Sequence, residues 1–192
     1  MEDFRFYFGL GWQHIISTDA LDHILFIIAL TAIYAVHEWK HVLILVTAFT
    51  IGHSVTLFLS VMDFIRFADQ WVEFLIPLTI LITAFSNFFQ KTFSKRAVRV
   101  NYYFALFFGL IHGMGFANTI RFMLSSDQQL GTSLLAFNLG LEAGQICVVA
   151  VLLIICWILV DRLHLNRRLW TLMLSGLTFC FAMKMTLERI PH

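Results

Sequence analysis

Six apolar runs dominate the sequence, near residues 20–36, 41–61, 71–89, 101–124, 133–160 and 169–187. Each approaches or exceeds the roughly 20 residues with which an α-helix crosses the hydrocarbon of a bilayer. In that medium a backbone must satisfy its own hydrogen bonds, so runs of this length are expected to fold as helices. Composition agrees: of 192 residues, 59% are hydrophobic and 13% charged, where a soluble domain is about half apolar and about a quarter charged. The sequence therefore predicts an all-α, polytopic membrane helix bundle of about six transmembrane helices. One integral membrane domain over 1–192 is expected. Ahead of the first run, residues 4–17 carry Phe4, Phe6, Tyr7, Phe8 and Trp12, interrupted by Gly9 and Gly11. This stretch reads as a short interfacial amphipathic segment lying on the bilayer.

Loop charges predict an orientation. Lys91, Lys95, Arg96 and Arg99 fall between the third and fourth runs, Arg162, Arg167 and Arg168 between the fifth and sixth, and Lys40 between the first and second. The other side carries Arg5 and Arg66, with Lys184 and Arg189 near the end of the chain diluting the contrast. By the positive-inside rule the basic loops are cytoplasmic and both termini extracytoplasmic, in the cytoplasmic (inner) membrane. The N-terminus lacks a basic n-region and a small-residue cleavage site, so no cleaved signal peptide is expected and the first span serves as the insertion signal. Cys147, Cys156 and Cys180 all lie inside apolar runs, where they act as small hydrophobes rather than a disulfide framework. With a net charge of +1 and no basic patch interleaved with aromatics, no nucleic-acid partner is expected.

Against this apolar background the polar residues stand out. The stretch HIISTDALDH, from His14 to His23, sets two histidines and two aspartates at the lip of the first run. Imidazole and carboxylate are the ligands that hold nickel, zinc, iron or copper. Asp19 also suits an N-cap, and Asp22 a first-turn position facing the helix dipole. The second run carries Thr50, His53, Thr56 and Ser60 at helical spacing. The fourth surrounds His112 with Gly109, Gly113 and Gly115. The fifth repeats Asn138, Glu142 and Gln145 at i, i+4 and i+7, with Gly140 and Gly144 roughly opposite, where a neighbouring backbone can approach.

Depth ties these together. Counting from His41 at about 1.5 Å per residue through about 30 Å of hydrocarbon, His53 lies about 12 Å below the outer surface. From Asn101, His112 comes about 13 Å below it, and from Ser133, Glu142 about 14 Å. Interhelical polar contacts could explain a single histidine. A carboxylate at that depth must be neutral, paired or metal-bound, because leaving it charged and alone costs several kcal/mol. A shared site of His53, His112 and Glu142 is therefore expected, with Asp22 and His23 above it and His14 over it in the surface segment. His37 and His41 read as a solvated helix end and Glu73 as a helix start. His164 and His192 carry no expectation. Ser54 follows His53 directly, but neighbours on a helix point about 100° apart, which is poor geometry for a Ser–His pair.

The order H…DHILF, FTIGHSVTL, GLIHGMGFA and FNLGLEAGQ, running from His14 to about Gln145, resembles the HupE/UreJ family of hydrogenase and urease accessory membrane proteins. The resemblance implies six or more helices and a role in uptake of nickel or a related metal. Carried over by position, it assigns the first motif to His14, Asp22 and His23 and the later ones to His53, His112 and Glu142. One departure is the STDAL that fills the gap between the first His and the Asp-His pair, adding Asp19 and losing a glycine.

Three functions compete. A secondary permease would take a divalent transition metal (nickel, zinc, iron or copper) past His14, Asp19 and Asp22 and hold it at His23, His53, His112 and Glu142. Proton exchange at the ligands would drive release. Its inner half offers few polar residues, Asn87 and Thr83 being the hints of an exit. A membrane-embedded metalloenzyme, hydrolytic or redox, fits the same ligands. A structural partner of another complex would use them as packing contacts. The expected partners are the lipid bilayer, the metal ion and a metalloenzyme maturation system.

Overall fold

The computed structural model describes residues 2–17, 20–90, 95–124 and 130–191, with the side chains of 95–100 and 117–124 outside the description. All regular structure among the described residues is helical. In chain order it comprises α1 (Glu2–Ile16), α2 (Leu21–Thr31), α3 (Trp39–Val61), α4 (Asp69–Asn87), α5 (Lys95–Leu124), α6 (Leu130–Cys156) and α7 (Arg167–Glu188). A 3₁₀ turn, Val36–Glu38, leads into α3, and a π-helical turn, Trp157–Arg162, extends α6.

Among the described residues, 36–61, 130–162 and 167–188 are each long and apolar enough to cross a membrane. The first expected span divides differently. α2 has only 11 residues, about 16 Å of helix, and cannot cross alone. It joins α1 at a bend of 66°, and only the two together reach membrane length and apolarity. The N-cap of α2 is Ala20, with no side-chain cap; Asp19, expected there, lies outside the described residues.

Two seams set the architecture, α3 against α5 and α1 against α6. In the first, a Cβ at Gly109 would overlap the Phe49 carbonyl, and one at Gly52 the Leu106 carbonyl. Backbones can meet this closely only where the side chain is absent. In the second, Gly11 fits against the Phe137 carbonyl and Gly140 against Phe8. This corrects the expectation of an interfacial α1. Its Tyr7, Gly11 and Ile15 are buried against α6, so Gly11, read as an interruption, lies on the contact face, while Gly9 meets no neighbour. The small-residue approach expected at Gly140 and Gly144 occurs, with α1 as the neighbour.

α4 packs chiefly on α7. It carries Pro77 in its interior, which leaves the Glu73 carbonyl without a helical N–H partner. At the α7 N-terminus, Asn166 caps the helix by accepting from the Arg168 and Leu169 amides at 2.8 and 3.4 Å. At that end of the bundle Glu38, Arg168 and Thr171 are paired. Glu38 accepts from the Ala35 amide at 2.6 Å and from Arg167 at 2.9 Å. Arg168 donates to the Gln90 and Phe88 carbonyls. Thr171 donates to the Ala32 carbonyl at 2.9 Å.

Candidate metal centre

At the opposite end, four helices each deliver an imidazole. The bend between α1 and α2 brings His14, near the end of α1, over His23, near the start of α2; their ring centroids are 4.7 Å apart. The glycine seam between α3 and α5 sets their backbones in contact, with Gly113 against the His53 carbonyl. His112 thereby reaches His23 at 5.1 Å, and His53 lies 6.0 Å from His14 and 6.3 Å from His23. One ligand nitrogen each from His14, His23 and His53 falls within 4.8 Å of the others. His23, His53 and His112 are buried. Phe26 and Phe49 pack on His112, and Phe116 on His14 at 4.1 Å.

Hydrogen bonds select which nitrogen each ring presents. The His112 Nδ1 lies 2.9 Å from the Phe108 carbonyl. A carbonyl only accepts, so Nδ1 carries the proton and a neutral His112 holds its lone pair on Nε2. The His23 Nδ1 lies 3.0 Å from Asp22 Oδ1, which also accepts from the His23 amide at 2.8 Å. An ionised Asp22 therefore fixes the His23 lone pair on Nε2 as well. Carboxylate or carbonyl behind imidazole is the arrangement that orients metal-ligating histidines. The presented atoms have no partner: Nε2 of His14, His23 and His112 and both ring nitrogens of His53 are buried without a hydrogen bond. Buried polar atoms are almost always paired, and a group of exceptions at one point calls for a cause. An imidazole set of this kind fits a divalent transition metal. Ligand bonds of about 2.0–2.2 Å in a tetrahedral set put ligand atoms about 3.5 Å apart, so an ion would draw these nitrogens inward by about 1 Å.

The cluster floors a cavity of about 370 Å³ lined by His14, Asp22, His23 and His112. Exposed Glu73 and half-buried Arg189 line it too and mark its mouth; the sequence offered the first only as a helix start and the second only in the charge count. His53 is fully buried. On α6, Asn138 faces His53. Its amide nitrogen donates to the Leu134 carbonyl at 2.8 Å, and its oxygen, turned to the His53 ring, closes no full hydrogen bond with it.

Glu142 is not brought to this group. Its carboxylate accepts from the Thr47 hydroxyl at 2.7 Å, and Gln145 accepts from Thr50 at 2.8 Å, so the two tie α6 to α3. The expectation that Asn138, Glu142 and Gln145 act as one face was too coarse. Residues 138 and 145 point within about 20° of each other, but 142 is rotated by about 40°, enough to reach the half-exposed edge. His37 and Trp39 lie exposed near the 3₁₀ turn, away from the cavity lining.

Helices of membrane length and a buried histidine cluster that could hold a metal ion define the class, a helical membrane protein with a candidate metal centre. A model of the family described as HupE / UreJ protein matches residues 1–189, and the chain belongs to that family. Comparison with curated proteins and with solved structures gave no match.

Proposed function

We propose that this protein is a secondary permease or uptake accessory for nickel or a related divalent transition metal. It would sit in the cytoplasmic membrane with both termini outside, serving a metalloenzyme maturation system. The observation that carries the proposal is the convergence of unpartnered imidazole nitrogens from four helices. The ion, as substrate, enters past Glu73 and Asp22 and is taken by His14, His23, His53 and His112, with Asp22 orienting His23. The nitrogens of His14, His23 and His53, within 4.8 Å of one another, with the His112 ring 5.1 Å from His23, form a looser set than a closed structural site requires, which suits an ion that must leave again. Glu142, held by Thr47, is left out of this ligand set.

A second reading has one specific support. The cavity of about 370 Å³ exceeds what an ion needs and falls in the range of about 300–1,000 Å³ that holds small molecules. A membrane-embedded metalloenzyme would use that space for a substrate beside a resident metal. One pair of measurements decides. Cells expressing the protein should accumulate radioactive nickel above empty-vector controls, and His23→Ala should remove the excess. Purified protein should release its nickel to a chelator within minutes. No uptake, with one ion retained through chelation, would replace the permease by the enzyme. No uptake and no retained metal would leave neither.

A further inference from the structure

Beyond the histidine cavity, a second and smaller cavity of about 60 Å³ lies in the crevice between α2, α4 and α5, large enough for more than one water. The two cavities use the same three helices at different heights. On α2 the first takes Asp22 and His23 and the second Ala29 and Leu30; on α4 the first takes Glu73 and Ile76 and the second Thr83 and Asn87. On α5 the first takes His112 and the second Asn101 and Phe108. Phe108 belongs to both sides: its carbonyl holds His112 at 2.9 Å while its side chain, packed on Phe26 at 5.7 Å, borders the second cavity. From His112 to Phe108 is about 6 Å along the helix.

The chemistry of the second cavity differs from that of the first. Asn87, buried, donates its amide hydrogens to the Ala29 carbonyl at 2.8 Å and to Ser175 at 3.2 Å. Asn101 holds the Tyr34 hydroxyl at 3.0 Å. Thr83 donates to the Thr79 carbonyl at 2.8 Å. What remains for a visitor is oxygen, from amides and hydroxyls, with neither imidazole nor carboxylate. Such neutral oxygen ligands hold a transition metal far more weakly than imidazole does. α4 also carries Pro77, at the level between the two cavities, where a missing hydrogen bond lets a helix bend.

We infer that the α2–α4–α5 crevice around Thr83, Asn87 and Asn101 is the release-side half of a transit path, closed from the histidine cluster by Phe108. This rests on the permease reading. The ion passes from strong nitrogen ligands to weak oxygen ligands and so toward the side on which it is let go.

Asn101 offers a test in which structure and transit separate. Asn101→Leu removes the oxygen and should slow nickel uptake by cells about tenfold while the purified protein retains nickel at the histidines as the wild type does. Asn101→Asp loses the N–H given to Tyr34, whose hydroxyl can turn and donate to the carboxylate instead, and adds a charge, so it should raise nickel retained by purified protein by a second ion and slow uptake. Uptake unchanged in both variants, with retention still at the wild-type level, overturns the release path and leaves the permease standing. Uptake and retention falling together in both variants also overturns it, because the crevice then acts only through the fold. Absence of uptake by the wild type removes the permease reading and this inference with it.

Discussion

The two ends of the bundle bury similar kinds of polar side chain and treat them in opposite ways. At the Glu38 end every group named above has a partner: Glu38 has Ala35 and Arg167, Arg168 has two carbonyls, and Thr171 has Ala32. At the histidine end four rings crowd together and leave nitrogens with none. A buried polar group without a partner costs about 1–3 kcal/mol. One end therefore holds the fold together, and the other is kept at some expense in stability. That contrast, more than burial or charge, is what the proposed metal site rests on.

The sharpest way to break the comparison is to empty each end in turn. His53→Leu removes two unpartnered nitrogens from a fully buried site. Nickel retention should fall at least about 100-fold, or about 2.7 kcal/mol, with thermal stability of the metal-free protein unchanged or raised. Glu38→Leu should do the reverse. It strands the Ala35 amide and leaves Arg167 only the Ile33 carbonyl, and should lower stability by about 1–2 kcal/mol, the smaller range reflecting a half-exposed Arg167. Nickel retention should not change. Thermal unfolding in detergent and metal analysis of both variants check this; a large stability loss in His53→Leu would make the histidine end structural as well.

A subtler change sharpens the comparison within the site. Asp22→Asn keeps the shape but offers His23 an amide that can donate as well as accept. The ring is then free to present its protonated nitrogen to the cavity. Loss of such an orienting carboxylate typically weakens metal binding about 10–100-fold. Titration of the purified variant with nickel should show that loss, with unfolding temperature nearly constant. Wild-type affinity would mean that Asp22 does not set the His23 tautomer.

Most helices were legible in sequence, and so was the nearness of His14, His23, His53 and His112, because hydropathy fixes helix positions and a constant rise per residue fixes depth. Rotation about the helix axis was not legible at the same precision. Depth alone placed Glu142 beside His53, but about 40° of rotation separates it from Asn138, which does face His53. The N-terminal region failed for another reason. Gly9 and Gly11 were read as interruptions of a surface helix, whereas Gly11 fits the Phe137 carbonyl. A glycine's meaning depends on which helix lies opposite, and one chain's sequence does not say. His14 reaches the cluster through that same packing. The mouth residue Arg189 comes from the far end of the chain, and nothing local announces it.

Glu142 gives the smallest effect and the most direct test of this division. Were it a charged ligand, Glu142→Gln would remove most nickel binding, since an amide is a far poorer metal ligand than a carboxylate. Among the described residues its hydrogen bond is instead with the Thr47 hydroxyl, at 2.7 Å, and an amide oxygen accepts that hydrogen bond equally well. The parallel bond from Thr50 to Gln145 already shows the pairing of threonine with an amide on the same two helices. Glu142→Gln should therefore leave nickel retention within about twofold of wild type and stability within about 0.5 kcal/mol. Glu142→Leu, which strands Thr47 on a half-exposed edge, should cost at most about 1 kcal/mol. Loss of nickel in Glu142→Gln with the fold intact would require α6 to turn by those 40° when metal binds, and would move the boundary between the holding and the acting parts of the bundle.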